Sequence, residues 1–249
     1  MVEHKPNCNG DVMAQQNHLL RLLGDEAMQR LRPLLRPVVL HSQEILYRPG
    51  QRISDIYFPD TAVLCMLTIM EDGRSIESAT VGNEGASWVS ASLGSPTMPC
   101  QTMVSVGGNA RKIGTKHIEE EIRRNGLFHN LLSEYSHALL ISSLRTGACN
   151  SLHAVTQRCA RWMLTTLDRT SDDRLVITHE FLAELLGCTR TVLTGILGDL
   201  ERLGGVETRR GRIEVMDRSR LEKSACECYP MIRETFEELR TREDKLVCD

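Results

Sequence analysis

Two groups of residues in this chain have the types and spacing needed to recognise a polyanion. Between Val176 and Gly205 a helical pattern places Leu193, Ile196, Leu197, Leu200 and Leu203 at core spacing, with Arg190, Thr191, Thr194, Gly195, Gly198 and Arg202 on the opposite side. The first turns of that opposite side are small, polar and free of acid. Such a face can enter a DNA major groove, where arginine is the usual bidentate reader of guanine. The two glycines each lower helix propensity by about 0.8–1.0 kcal/mol relative to alanine, and close approach to another backbone is one reason to keep them. Immediately afterwards Val206-Glu-Thr-Arg-Arg-Gly-Arg-Ile-Glu-Val-Met216 reads as two short strands around a basic tip. Arg209, Arg210 and Arg212 on such a tip suit phosphate contacts.

Those groups need a scaffold, and the preceding residues supply one. Thr178 is a good N-cap and a candidate DNA contact, and Phe181, Leu182, Leu185 and Leu186 give a short helix its apolar side. Gly187 ends that helix where a left-handed backbone is cheap only without a Cβ. A second helix starts three residues later, so positions 178–203 read as a helix-turn-helix followed by a wing. The alternative, a helical pair packed for structure with a solvated arginine turn, does not account for helix, turn, helix and wing in that order.

Other chemistries fare less well. His179-Glu180 begins like a zinc-protease helix, but the second histidine would fall at Ala183. Gly85-Ala-Ser-Trp-Val89 lacks the last glycine of a nucleophile elbow, and no phosphate-binding Gly-x-x-x-x-Gly-Lys loop occurs. No catalytic residue is therefore expected, although the regulatory subunit of an enzyme stays open as an alternative. The nine cysteines, an odd number spread from Cys8 to Cys248, do not read as a disulfide framework. Cys226-Glu-Cys228 is a close pair, but its one-residue spacing does not match a Cys-x-x-Cys metal site. No metal ligand and no cofactor is expected, and reduced thiols are. Cys188 lies inside the helix-turn-helix, where a small residue filling the turn competes with a redox-sensitive thiol.

The rest of the chain reads as the body that carries this module. Its 249 residues favour two domains, and with 41% hydrophobic and 25% charged residues it lies far from the composition of disordered chains. Residues 1–37 hold short helical pieces. From 38 to about 113 the pattern is of short strands punctuated by turn residues, clearest in Ala62–Met70 and Ser75–Val81 around Asp72-Gly73. From Thr115 the period is helical, with a helix of some 25 residues over Leu127–Leu152 carrying apolar and small residues on more than one side, as a dimer seam does. The alternative is a helix wholly buried in one subunit. A fresh helix is expected from about Ala154 to Leu167. No stretch is long and apolar enough for a membrane span, and the polar start, MVEHKPNCNGD, lacks a signal-peptide core, so a cytoplasmic location is expected. The formal charge of −3 is a sum of unlike parts: Leu221–Asp249 holds five Lys and Arg against eight Asp and Glu, whereas Glu207–Arg212 holds three Arg against one Glu.

Ile177–Val215 resembles the DNA-binding module of the Crp/Fnr regulators. Gly187-Cys188-Thr189-Arg190 is similar to the family's turn and recognition-helix start, and Arg210-Gly211-Arg212-Ile213 to its wing. Tyr47-Arg-Pro-Gly50, Ile56-Tyr-Phe58, a Gly85-centred turn and the long helix follow the order of a cyclic-nucleotide-binding roll and dimer helix. The resemblance implies an α+β fold: an N-terminal antiparallel β-roll over 1–125, a dimerisation helix and hinge over 126–152, and a winged helix-turn-helix over 153–220. The C-terminal tail, 221–249, is expected to be helical over Cys226–Asp249 and, with Ile232, Phe236 and Leu239 on one face, to pack back on the body. The resemblance also implies a homodimer on palindromic double-stranded DNA, with RNA polymerase as a partner and an unidentified effector. Thr189, Arg190, Thr191 and Thr194 should lie at the DNA, with Arg209 at a phosphate.

Two departures narrow these expectations. The family's well-studied activators carry a Glu just after the Arg and a second Arg five positions on, where this chain has Thr191 and Gly195, so its target sequence should differ. A cyclic-nucleotide pocket needs a Gly-Glu pair for the ribose and an Arg for the cyclic phosphate. By order these positions fall near Val89-Ser90 and Cys100-Gln101-Thr102, and no Lys or Arg occurs from Ser75 to Ala110. A buried phosphate without a cationic partner is heavily penalised by desolvation, so the roll should not bind cyclic AMP tightly.

Overall fold

The computed structural model describes residues 17–87, 94–124, 126–170 and 173–248. Helices α1 (His18–Leu22) and α2 (Asp25–Leu31) precede seven strands: β1 (Arg36–Leu40), β2 (Ile45–Tyr47), β3 (Asp55–Pro59), β4 (Val63–Ile69), β5 (Ser75–Val81), β6 (Gln101–Val106) and β7 (Gly108–Gly114). They form two antiparallel sheets, ordered β1-β7-β3 and β2-β6-β4-β5. The β4–β5 hairpin closes at Gly73, whose φ of 83° is accessible without a Cβ. The Asp72 carboxylate accepts from the Arg74 backbone N–H at 3.0 Å and fixes the turn.

Strand β4 is buried on both faces. Leu64 and Met66 pack inward with Ile56, Phe58, Val81 and Val104 in the roll core. Val63, Cys65 and Leu67 point the other way and join Trp162, Leu182 and Leu186 of the C-terminal domain in a second core. This explains why Val63–Leu67 is a continuous apolar run rather than an alternating one.

Helix α3 (Thr115–Arg124) leads into α4 (Gly126–Leu152), which has 27 residues and passes through Gly147 without a break. The helix breaks after Leu152, and α5 (Val155–Leu167) follows. Phe128, Leu131, Leu132, Tyr135, Ala138 and Leu139 bury one side of α4 in the roll core. Gly85 sits against the Tyr135 ring so closely that a Cβ there would overlap it.

The C-terminal domain continues with β8 (Arg174–Leu175), α6 (His179–Leu185), α7 (Arg190–Arg202), β9 (Val206–Arg209), β10 (Arg212–Val215) and α8 (Arg218–Ser224). Its three strands form a small antiparallel sheet, β8-β10-β9. The last helix, α9 (Cys228–Cys248), packs back along α4, with Ile232, Phe236 and Leu239 buried in the roll core. Arg169, just past α5, links three parts. Its Nε donates to the buried Glu84 Oε1 of the roll at 2.9 Å, and its guanidinium lies 4.8 Å from the centroid of the Phe236 ring on α9. The fold class is therefore the expected one: α+β, with an antiparallel roll, a long helix and a winged helix-turn-helix.

Candidate nucleic-acid interface

Helices α6 and α7 meet at 102°, inside the range for a DNA-binding helix-turn-helix. Both are capped by threonine. Thr178 Oγ1 accepts from the Phe181 N–H at 3.2 Å, and Thr189 Oγ1 accepts from the Val192 N–H at 3.4 Å. Each hydroxyl keeps its own proton for an outside acceptor. Gly187 takes φ 62° and lies on Ile76 of the β4–β5 hairpin. The neighbouring Ser75 Oγ donates to Glu184 Oε1 at 2.9 Å, so the roll touches the turn of the motif directly.

The core of the motif is Leu193, Ile196, Leu197 and Leu200, all buried. Leu203 corrects the sequence expectation: it is the C-cap of α7 and 57% exposed, because the helix ends before its side chain can turn inward. On the other side Arg190, Thr191, Thr194 and Gly195 are exposed, and Gly198 is half-buried. Thr194 Oγ1 donates back to the Arg190 carbonyl at 2.9 Å and lies 3.3 Å from His179 Nδ1. A Cβ built at Gly195 or Gly198 would meet nothing within 4 Å, so nothing inside the described chain requires these two glycines.

An acid also stands at this face. Glu180 of α6 brings Oε2 to 3.7 Å from Arg190 Nη1, with both side chains exposed. The first turns of α7 are free of acid in sequence but not in space. His179 and Glu180 were legible only as part of a failed zinc motif, and the crossing of α6 over α7 is what brings them to Arg190 and Thr194.

The wing tip carries the three arginines. Arg209 and Arg210 are exposed and Arg212 is half-buried, while Gly211 makes the turn with φ 71°. Glu207 holds Arg209 Nη2 at 3.0 Å, and Glu214 lies 3.7 Å from Arg212 Nη2. Glu201 at the end of α7 accepts from both the N–H and the hydroxyl of Thr208, at 2.5 and 2.6 Å, locking wing to helix. Those two bonds hold its carboxyl below the ordinary range. Cys188 is half-buried against the domain core, and burial raises its thiol pKa, the opposite of what a reactive thiolate needs.

Residues 157–224 match the family described as the Crp-like helix-turn-helix domain. This segment is a Crp-like helix-turn-helix domain. No curated relative matches the chain. Among solved structures it is similar to TTHB099, a CRP-family transcriptional regulator from Thermus thermophilus, at 18% identity and TM-score 0.61, covering 76% of this chain and 96% of that one. FixK2 from Bradyrhizobium japonicum matches at 15% identity and TM-score 0.58, covering 77% of this chain and 98% of that one. The c-di-GMP responsive global regulator CLP from Xanthomonas campestris matches at 15% identity and TM-score 0.58, covering 78% and 100%. These likenesses extend the Crp-type architecture beyond the helix-turn-helix domain to the roll and long helix. Among the described residues no single helix is long and apolar enough to cross a membrane.

Of the two nucleotide-pocket positions, Val89-Ser90 lies outside the described residues. Gln101 and Thr102 are on β6 and buried. The Thr102 hydroxyl has no hydrogen-bond partner among the described residues. Cys8 also lies outside the described residues.

The Crp-like domain is joined to α4 around Asn150–His153, and these residues are tied. Asn150 Nδ2 donates to the Glu77 carbonyl of the roll at 3.2 Å, and Arg158 Nη1 donates to the Leu186 carbonyl at 3.1 Å. The same place holds a feature hidden in the sequence: Cys149 and His153 lie beside Cys226 and Cys228, with one donor atom from each within 4.8 Å of the others.

Proposed function

We propose that this chain is a sequence-specific DNA-binding transcription regulator acting as a homodimer on palindromic sites. The observation that carries the reading is the exposed polar start of α7 beside an exposed basic wing, both on a Crp-like helix-turn-helix domain. Arg190 reads guanine in the major groove, and Thr189, Thr191 and Thr194 line its approach. Thr178, Arg209, Arg210 and Arg212 bind phosphates on either side. Glu180 holds Arg190 in place and is an acceptor for a cytosine amino group on the neighbouring pair.

The second copy pairs along α4. One side of this helix is covered by the roll and α9, while Ser133, His137, Leu140, Leu144, Gly147 and Ser151 are exposed at alternating spacings of four and three, the repeat of a coiled-coil seam. Leu140 and Leu144 are 55% and 68% exposed. Pairing there presents two recognition helices about one DNA turn, ~34 Å, apart. The roll serves as a sensor-type domain without cyclic AMP chemistry, since Gln101 and Thr102 offer no cation to a phosphate. RNA polymerase is the downstream partner.

Selection of bound sites from a random DNA pool tests the reading, and a palindrome with half-sites one turn apart is expected. Binding in a gel shift should weaken steeply with salt. Absence of any enriched sequence would overturn it. Calorimetry should find no micromolar binding of cyclic AMP.

A further inference from the structure

Four side chains with metal-ligand chemistry, none used in reading DNA, converge where α4 ends and α9 begins. Cys149 is in the last turn of α4, His153 follows that helix directly, Cys226 precedes α9 and Cys228 opens it. Cys149 Sγ and Cys226 Sγ are 3.5 Å apart, and Cys228 Sγ is 3.6 Å from His153 Nδ1. All four donor atoms lie within 4.8 Å of one another, the three cysteines buried and the histidine half-buried.

The spacing selects among thiol chemistries. A disulfide requires sulfurs at about 2.05 Å, and these thiols are free. A tetrahedral zinc ion with Zn–S of about 2.3 Å and Zn–N of about 2.0–2.1 Å sets neighbouring donors about 3.6–3.8 Å apart. The Cys228–His153 distance of 3.6 Å matches that figure, and the two sulfurs at 3.5 Å lie a few tenths of an ångström inside it. An iron–sulfur cluster shares its four ligands among two or four irons and so spreads them wider than one ion does.

Two further observations belong to a metal site. His153 turns Nδ1 toward the sulfurs and Nε2 toward Glu227 Oε1, 3.1 Å away. A ligating histidine characteristically gives its other N–H to a carboxylate, which fixes the tautomer and orients the ring. Three thiolates around a divalent ion also leave one net negative charge. Arg161, 3% exposed and with no hydrogen-bond partner for Nε among the described residues, acts electrostatically on Cys149 from the adjoining helix, as it does on Glu77.

We propose that Cys149, His153, Cys226 and Cys228 bind one Zn2+ ion in a closed tetrahedral site that ties the end of α4 to the start of α9. Binding releases the three thiol protons to solvent, and the neutral imidazole ligates through Nδ1. Four protein ligands leave no open position, so the ion holds structure and does not activate water. It fixes the residue from which the chain enters the helix-turn-helix domain. The proposal does not depend on the DNA-binding reading.

The test uses the full chain purified under reducing conditions. Elemental analysis should give one zinc per chain. The apo protein titrated with Co2+ should show tetrahedral d–d bands and thiolate charge-transfer absorption, bleached by Zn2+ at one equivalent. Cys149→Ser and Cys228→Ser should lose these bands, while Cys188→Ser should keep them. Should the cysteine variants fail to fold, Glu227→Gln removes no ligand and should weaken zinc affinity about 10–100-fold against a chelating dye. The proposal fails if the reduced, folded chain takes up no stoichiometric zinc or cobalt, or if the Co2+ spectrum survives both serine variants. It also fails if Glu227→Gln leaves the affinity unchanged, if iron with sulfide is bound instead, or if Cys149 and Cys226 form a disulfide in a chain that binds no metal.

Discussion

Trp162 and Glu77 share a buried hydrogen bond: the indole Nε1 of α5 donates to the Glu77 Oε2 of β5 at 2.9 Å, joining the helix-turn-helix domain to the roll. The other carboxylate oxygen accepts from Thr80 Oγ1 at 2.5 Å. Trp162→Phe keeps an aromatic ring in the core but leaves one buried oxygen without its donor. The expected loss is about 1–3 kcal/mol of stability, read as a lower urea midpoint.

The same carboxyl makes stability depend on pH. Burial pushes the Glu77 pKa above its ordinary 4.5, against the opposing pull of Thr80, Trp162, Arg161 and Arg169. A carboxyl that holds its proton more tightly folded than unfolded contributes most stability at acid pH, and that contribution is lost as pH rises through the folded value. Unfolding midpoints across pH should carry this falling component in the wild type. Glu77→Gln, which cannot ionise, should remove it.

The glycines of the recognition helix separate stability from binding. Since a Cβ at Gly195 or Gly198 meets open space, alanine at either position should stabilise the fold by about 0.4–1 kcal/mol. If the two positions face a DNA backbone, the same variants should weaken DNA binding. Thermal melts and gel shifts on one preparation check both signs.

Arginines of the helix and the wing should fail in different ways. Arg190→Ala should reduce affinity by about 1–3 kcal/mol and relax preference at a single base position, whereas Arg210→Ala should weaken all sequences alike and lower the salt slope by about 1. Competition binding against substituted sites at several salt concentrations distinguishes them.

Leu144 tests the seam. With 68% of its surface exposed on the side of α4 that the described residues leave uncovered, Leu144→Glu should leave the melting temperature of the monomer unit near wild type. It should convert a dimer to a monomer in sedimentation experiments.

The parts of this fold that were legible from sequence are those whose signal is local. The β4–β5 hairpin follows from two apolar runs around Asp72-Gly73, and the helix-turn-helix follows from Thr178, Gly187 and the leucine spacing. What escaped depends on chain segments meeting from far apart. Cys149 and Cys226 are 77 residues apart, and a search for close-spaced ligands sees only Cys226-Glu-Cys228. Glu180 reaches Arg190 only because the two helices cross. The exposure of Leu203 reflects where a helix stops, and periodicity locates such ends poorly.

The two-sided burial of β4 bears on how a signal could pass through this molecule. Lifting the C-terminal domain off the roll would bring Val63, Cys65 and Leu67, with Leu182 and Leu186 opposite them, into water, and would strip Glu77 of its indole donor. Exposed apolar surface carries a penalty of about 25 cal/mol per Å2. A pendulum swing about Asn150–His153 is therefore the expensive motion. Sliding along the strand keeps that surface dry, so any change in the reach of the recognition helices should take the form of shear.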